Sequence, residues 1–179
     1  MKGVKKNFLK VVQMTTNGKY RYSVGYMLLN SQKKVFLGKR CWPKNCPYRF
    51  QMPQGGIQEG ETPEQAMWRE MHEEIGLGPD TVKIITSTKE WVHYDLPKAM
   101  RRGIVGNMQK WFLCMFLGSD KDVVLTNEKK PEFCGFRWAS AKKVPYLSIP
   151  FKRHLYKQVL IEFQPIIDML SAEDFTLKQ

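Results

Sequence analysis

The chain has 179 residues, of which 42% are hydrophobic, and its formal net charge is +12. That length fits one domain whose core needs neither a disulfide nor a metal for support. No internal repeat is visible and no apolar run approaches the ~20 residues of a membrane-spanning helix, so repeat proteins and helical membrane proteins are excluded as classes.

The charge is distributed unevenly along the chain. No Asp or Glu precedes Glu59, whereas residues 1–50 contain twelve of the 29 Lys and Arg residues. Such asymmetry favours a polyanionic partner or a surface that steers anions, and the alternative is a basic face that serves solubility.

Residues 1–18 are basic and weakly amphipathic, and we predict that they form an N-terminal extension before one domain at 19–179. The extension fits a disordered arm, a nucleic-acid-binding tail, a contact for a protein partner or an organelle-targeting segment. We expect a cytoplasmic protein, or one of the mitochondrial matrix if the extension is a targeting segment. No membrane partner is expected.

Four cysteines are widely spaced, apart from one C-x4-C pair that has no second half: Cys41, Cys46, Cys114 and Cys134. This pattern favours reduced thiols in an intracellular protein over a zinc site or disulfides.

Runs of β-branched and aromatic residues predict strands at 22–30, 34–40, 82–91, 109–118 and 132–138. A turn is expected at 30–33, and a loop at 96–108, where the sequence has Pro, Gly and several cations. A helix is predicted over 151–170, and Pro165 is expected to kink or split it. Strands alternating with helices predict an α/β fold, an α+β sandwich with a mixed sheet flanked by helices.

A second helix, at 63–75, has clear start and stop signals. Thr62 is a suitable N-cap with Pro63 at the first helical position, and Gln65 completes a capping box. Gly76 suits the left-handed position that ends a helix. Three apolar residues recur every four positions and predict a buried stripe: Met67, Met71 and Ile75.

This helix also carries three acids on one face. Glu70, Glu73 and Glu74 follow the i, i+3, i+4 spacing, so their like charges repel one another. The arrangement gives the helix no stability of its own, whereas clustered carboxylates on a rigid element suit Mg²⁺ or Mn²⁺. A solvated acidic face is the alternative for the three glutamates considered alone.

The glutamates belong to a longer pattern. Gly55 is followed after five residues by Glu61 and after seven more by "REMHEEIGL", residues 69–77. This resembles the Nudix box, G-x5-E-x7-R-E-U-x-E-E-x-G-U, at every defined position. The resemblance implies a Nudix fold with a loop–helix–loop that holds a metal ion against a diphosphate. The metal is Mg²⁺, with Mn²⁺ as the alternative.

The same resemblance assigns roles within the motif. Glu73 and Glu74 are the candidate catalytic residues, one of them as the base that activates water. Glu61, Arg69 and Gly76 are expected to have structural roles. The implied metal-binding positions in the motif are these: Gly55, Glu70, Glu73 and Glu74.

From Tyr20 onward the chain is similar to bacterial RNA pyrophosphohydrolases and to the related dinucleoside polyphosphate hydrolases. The resemblance rests on "YRYSVG", "QMPQGGI", "EWVHYDLP", "QKWFL", "PEFCGFRW" and "FKRHLY". It implies that Glu132 is a further metal ligand. The implied substrate-binding residues are Arg40, Tyr94, Gln109, Phe151 and Lys152, with Phe151 stacking on a base.

The predicted function is Mg²⁺-dependent removal of pyrophosphate, or of successive phosphates, from the 5′-triphosphate end of RNA, leaving a 5′-monophosphate. A diadenosine tetraphosphate hydrolase that yields ATP and AMP is the second candidate. The third is an RNA 5′-end-binding subunit without catalysis. The extended basic surface favours RNA, because a dinucleotide needs only a local cationic pocket.

Overall fold

A computed structural model gives the fold of the chain and describes residues 12–15, 18–42, 49–125 and 130–176. The strands are β1 Val12–Thr15, β2 Gly18–Leu29, β3 Val35–Arg40, β4 Phe50–Gln51, β5 Gln54–Gly56, β6 Val82–Ser87, β7 Val92–Asp95, β8 Gly106–Phe116 and β9 Phe133–Ala139. The helices are α1 Pro63–Ile75, α2 Val144–Leu147 and α3 Arg153–Met169.

The sheet is mixed and is centred on β2 and β8, which pair in parallel. Strand β2 also pairs antiparallel with β1, β3 and β5, while β8 pairs antiparallel with β6 and β7. Strand β3 connects β4 and β9 to the sheet, again in antiparallel pairing. The predicted mixed sheet with flanking helices is therefore confirmed.

Side chains of the two central strands alternate between two separate cores. Tyr26 and Phe112 lie in the core that is shared with α1, whereas Met27 and Trp111 lie in the core that is shared with α3. This alternation follows from the period of two in a β-strand, and a strand covered on both faces is apolar throughout. The two helices thus cover opposite faces of the sheet.

Several predicted element boundaries were wrong. The strand expected at 82–91 ends at Ser87, and residues 92–95 form β7, which was not predicted. The loop expected at 96–108 ends earlier, because β8 begins at Gly106, and it contains a short 3-10 helix at Lys98–Met100. Strand β7 has little apolar sequence of its own and is set by its pairing with β8.

Pro165 does not split the C-terminal helix, which runs continuously from Arg153 to Met169. The proline removes the hydrogen bond to the carbonyl four residues earlier, that of Ile161. Ile161 is 76% exposed, so water can replace the missing bond at this helix surface.

Part of the predicted N-terminal extension joins the sheet, because Val12–Thr15 pairs with β2. Residues 1–11 and 16–17 lie outside the described residues, and the extension with its boundary at residue 18 stays a prediction. In the part of the chain that is described, no helix is both long and apolar enough to cross a membrane.

Candidate active site

Helix α1 begins and ends through local interactions. The Thr62 hydroxyl accepts a hydrogen bond from Gln65 N at 3.2 Å, and Gln65 Oε1 accepts one from Thr62 N at 2.9 Å. Gly76 caps the other end with φ of +72°, a left-handed conformation that is strained for other residues. The predicted stripe is buried, with Met67, Met71 and Ile75 fully inaccessible. The helix is therefore fixed on the sheet with its glutamates along one edge.

Arg69 fastens the preceding loop to this helix. Its Nε donates to Glu61 Oε1 at 2.6 Å, and its Nη2 donates to Gly56 O at 2.8 Å. The same guanidinium contacts Glu70 at 2.8 Å and Glu73 at 3.1 Å through Nη1. The hydrogen bond from Arg69 lowers the pKa of Glu61, while that bond also raises the pKa of Arg69. These contacts are the pairing that the sequence motif implies for Glu61 and Arg69.

Glu74 is a carboxylate in an apolar setting. It is 8% exposed, and its Oε2 accepts a hydrogen bond from the Tyr26 hydroxyl at 3.3 Å. Its Oε1 is buried and has no hydrogen-bond partner among the described residues. Burial raises the pKa of Glu74 well above its usual range, and the negative charges of Glu132 and Glu70 raise it further. A buried, unpaired carboxylate oxygen is costly unless something compensates its charge.

Glu70 packs directly against the loop at Gly55. A Cβ atom added to Gly55 would overlap the Glu70 carboxyl group, so only glycine allows this approach without displacing that side chain. Burial raises the pKa of Glu70, and Arg69 opposes that rise. The loop backbone and the helix carboxylates therefore share one compact region.

Tertiary structure adds Glu132 to these acids. Glu132 comes just before β9, and its charge is among the causes of the raised pKa of Glu74. Its Oε1 accepts a hydrogen bond from Gln51 Nε2 at 2.8 Å and lies 3.6 Å from Arg40 Nη1. Acids from two distant segments thus lie close enough to affect each other's ionisation.

These residues fit a divalent cation such as Mg²⁺. Several partly buried carboxylates with an unpaired oxygen form a hard oxygen donor set. Within the described ranges no three His, Cys, Asp or Glu side chains converge closely enough to hold a metal as they stand. Arg69 contacts both Glu70 and Glu73 and places a positive charge beside them.

The cations predicted to bind substrate lie beside Glu132. Arg40 ends β3 with its side chain 46% exposed. Lys152 is 4% exposed, and its Nζ donates to Gln51 Oε1 at 3.1 Å. Burial, followed by repulsion from Arg40, lowers the pKa of Lys152 to about 8. Gln51 therefore connects the predicted metal ligand Glu132 with the predicted phosphate contact Lys152.

The two aromatic residues predicted at the site lie together. The rings of Tyr94 and Phe151 stack with centroids 6.0 Å apart, and Lys152 Nζ lies 5.8 Å from the Tyr94 centroid. The Tyr94 hydroxyl accepts hydrogen bonds from Gln54 at 3.4 Å and from Asn107 at 3.0 Å. A cavity of about 330 Å³ opens beside the pair, and it is lined by Tyr20, His93, Tyr94, Asp95, Phe151 and His154.

Gln109 differs from the other predicted site residues. Its side chain is fully buried, its Oε1 accepts from Trp111 Nε1 at 3.2 Å, and its Nε2 has no partner in the described part of the protein. The structure does not bring Gln109 to the open surface of the site.

Two residues at the site were missed in the sequence. The Arg21 guanidinium lies against Gly56, and its positive charge opposes the rise that burial causes in the pKa of Glu70 and of Tyr94. Arg21 lies inside β2, one residue before the predicted start of that strand. Gln51 belongs to a two-residue strand that has no hydrophobic period by which to recognise it.

Comparison with known proteins identifies relatives over most of the chain. The NUDIX domain matches residues 19–159. A protein of Proteus mirabilis named RNA pyrophosphohydrolase is 40% identical over 159 residues, which cover 86% of this chain and 88% of the relative. One of the same name from Zymomonas mobilis is 42% identical over 152 residues, covering 82% and 96% of the two chains.

Solved structures agree on the fold. The E. coli dihydroneopterin triphosphate pyrophosphohydrolase superposes with a TM-score of 0.61 at 21% identity, covering 79% of this chain and 95% of the other. The MutT protein of Methanosarcina mazei superposes with a TM-score of 0.59 at 18% identity, covering 83% and 98%. From the domain match, the relatives and the fold together, the chain belongs to the Nudix family.

Proposed function

We propose that this chain is a Mg²⁺-dependent RNA pyrophosphohydrolase, with Mn²⁺ as an alternative metal. It removes pyrophosphate, or successive phosphates, from the 5′-triphosphate end of RNA and leaves a 5′-monophosphate. The relatives named RNA pyrophosphohydrolase, at about 40% identity over most of both chains, support this substrate. The structural observation that carries the proposal is the meeting of the α1 glutamates with Glu132 beside Arg40.

The metal would be held by acidic side chains from α1 and from the start of β9, with the backbone of the motif loop nearby. When bound, a divalent metal neutralises phosphate oxygens and lowers the pKa of a coordinated water. The residues proposed to hold it are Gly55, Glu70, Glu73, Glu74 and Glu132.

The remaining roles belong to side chains of this chain. Glu73 or Glu74 accepts the proton of the attacking water as a general base. Arg40 and Lys152 bind oxygens of the 5′ phosphates through charge-assisted hydrogen bonds. Arg21, whose charge acts on Glu70, supplies a third cation.

The first bases of the RNA are proposed to pack beside Phe151 and Tyr94. Single-stranded RNA bases are recognised largely by stacking on aromatic side chains, which contributes about 1–3 kcal/mol per base. The stacked pair and the adjacent 330 Å³ cavity offer apolar surface for a base next to the proposed phosphate site. Lys152 links the two parts, since it contacts both Gln51 and the Tyr94 ring.

The excess of basic residues in the first 50 positions supports an RNA chain that runs beyond the pocket. The N-terminal extension remains a candidate for RNA contact or for a protein partner. Its targeting role, and with it a cytoplasmic or mitochondrial location, stays a prediction.

The proposal is tested by product analysis with purified protein, Mg²⁺ and a short RNA that carries a 5′-triphosphate. We expect 5′-monophosphorylated RNA and released pyrophosphate or phosphate, and no product when EDTA replaces Mg²⁺. The Glu74→Gln variant serves as the matched inactive control. RNA that keeps all its 5′ phosphates with wild-type protein and Mg²⁺ would overturn the proposal.

Adding diadenosine tetraphosphate to the same reaction separates the other two candidates. A higher kcat/KM for the dinucleotide than for the RNA would favour a dinucleoside polyphosphate hydrolase. Tight binding of triphosphorylated RNA without any product would favour a binding subunit.

A further inference from the structure

Two cysteines that are far apart in the sequence meet beside the candidate active site. Cys41 follows the end of β3, and Cys134 is the second residue of β9. Cys134 Sγ lies 3.7 Å from the backbone oxygen of Arg40, the residue next to Cys41. Cys134 is exposed and Cys41 is partly exposed, whereas Cys114 is buried in the core.

The pairing of β3 with β9 brings these thiols together. Arg40 lies opposite Phe133, and Cys41 N donates to Glu132 O at 2.9 Å. Cys134 Sγ lies 3.5 Å from Lys39 O, across the strand pair from Cys41. The two cysteines therefore occupy diagonal positions on one face, where a register shift between Gly38 and Arg40 alters the local geometry of the pair.

We propose that Cys41 and Cys134 are a site of reversible oxidation, at which a peroxide converts the two thiols into a disulfide. This differs from the sequence-based interpretation of four unrelated reduced thiols, which did not anticipate that two of them meet. Cytosolic disulfides are uncommon and, when they form, usually serve catalysis or redox sensing, which suits a surface pair next to functional residues.

The oxidation is a two-electron reaction that consumes one peroxide. Cys134, the more exposed thiol, is oxidised to a sulfenic acid while the peroxide is reduced and one water is released. The Cys41 sulfur then attacks the Cys134 sulfur, an S–S bond forms, and the sulfenic oxygen leaves as a second water. A dithiol reductant reverses the reaction by thiol–disulfide exchange.

Closing the disulfide has a consequence for the neighbouring residues. A disulfide needs Cα atoms about 4.4–6.8 Å apart, whereas diagonal residues of an antiparallel pair are roughly 7–8 Å apart. The bond therefore draws the end of β3 towards β9 and displaces Arg40 and Glu132, whose side chains lie 3.6 Å apart. An effect of this displacement on RNA hydrolysis rests on the proposed function, whereas formation of the disulfide does not.

The test treats the full-length protein with hydrogen peroxide, blocks remaining thiols by alkylation, and identifies linked peptides by mass spectrometry. We expect the peptides containing Cys41 and Cys134 to be linked, with a mass two hydrogen atoms below the sum of the reduced peptides. This linked pair should be absent after treatment with dithiothreitol. The Cys134→Ser variant should give no such pair. Cys46→Ser is the control, because Cys46 is close to Cys41 in sequence and is the competing partner.

Two functional readouts accompany the mass measurement. Oxidation should lower kcat/KM for triphosphorylated RNA about tenfold, the lower end of what disturbing residues around a metal site costs, and reduction should restore it. Oxidation should also reduce the increase in melting temperature that Mg²⁺ produces. Neither change is expected in Cys134→Ser, whereas both are expected in Cys46→Ser.

The outcomes separate this proposal from the proposed function. No disulfide, or one between Cys41 and Cys46, overturns the oxidation site. A Cys41–Cys134 disulfide that changes neither readout overturns its effect on Arg40 and Glu132. A Cys41–Cys134 disulfide in a protein that is inactive on RNA even when reduced supports the oxidation site and overturns only the proposed function.

Discussion

Helices α1 and α3 cover opposite faces of the sheet and bury different kinds of side chain. Both contribute an apolar stripe to a core, and the buried residues of α3 include no acid. Helix α1 buries Glu74 in addition, with one carboxylate oxygen that has no partner among the described residues. Helix α3 therefore serves packing, whereas α1 keeps a buried carboxylate that lowers the stability of the fold.

The loss of stability caused by burying Glu74 points to a role for this residue in function. A buried carboxylate loses hydration, and Glu70 and Glu132 add repulsion, as the raised pKa of Glu74 indicates. A Gln at this position would keep the shape without the charge. The proposed function gives this acid a role in holding a metal, so changes in the two helices should have different consequences.

The largest expected effect is on stability, from Phe163→Ala in α3. Phe163 is fully buried, so its truncation should lower the free energy of unfolding by about 3–5 kcal/mol. The kcat/KM of the protein that remains folded should be unchanged. Urea denaturation and activity per folded molecule measure the two quantities, with the exposed Ile161→Ala as control on the same helix. A loss of activity without loss of stability would break the assignment of α3 to packing.

The next effect is on the reaction, from Glu74→Gln in α1. We expect the rate to fall about 10²- to 10³-fold, because charge stabilisation at the reacting phosphate is lost. Stability without metal should be equal or higher, since the buried charge is gone. Turnover of triphosphorylated RNA and urea denaturation in EDTA provide the measurements. Glu64→Gln, an exposed acid in the first turn of the same helix, should change neither; wild-type turnover in Glu74→Gln would refute the role of this glutamate.

A smaller effect is expected from Lys152→Met. Losing a charged hydrogen bond to phosphate should lower kcat/KM about 10- to 100-fold, mainly through KM. Because the pKa of Lys152 is about 8, the wild-type lysine loses its proton as pH rises through 8. The kcat/KM of the wild-type protein should therefore fall as pH rises through 8, and the pH profile of Lys152→Met should lack this fall. Lys157→Met, at an exposed position of α3, is the control. Identical pH profiles for the wild type and Lys152→Met would contradict the contact between Lys152 and phosphate.

The smallest effect is the pH dependence of stability in the metal-free protein. The folded-state pKa of Glu74 is raised above its ordinary value of 4.5, so the folded protein binds the proton more tightly than the unfolded chain. Stability should therefore fall as pH rises from about 4.5 through the folded pKa, by at most about 1.4 kcal/mol per pH unit for one proton. Urea midpoints across this range, compared between wild type and Glu74→Gln, isolate the contribution. A difference that grows in the opposite direction would contradict the burial of this charge.

Features that depend on neighbours along the chain could be predicted from the sequence. The limits of α1 followed from Thr62, Gln65 and Gly76, because caps act within one helical turn. The Nudix motif could be recognised for the same reason, since its spacing is set by a single loop and helix. The apolar periods of β2, β8 and α3 were likewise local, and they predicted the mixed layered fold correctly.

Contacts across the sheet could not be predicted in this way, because they depend on how the whole chain folds. The contact of Glu132 with Arg40, the bridge from Glu132 through Gln51 to Lys152, and the approach of Cys134 to the backbone beside Cys41 all arise from distant segments. Their positions depend on strand register and on the packing of Lys152 into the core, which have no local pattern. Burial also separated Gln109 from the open site, because exposure is a property of the assembled fold and not of the residue type.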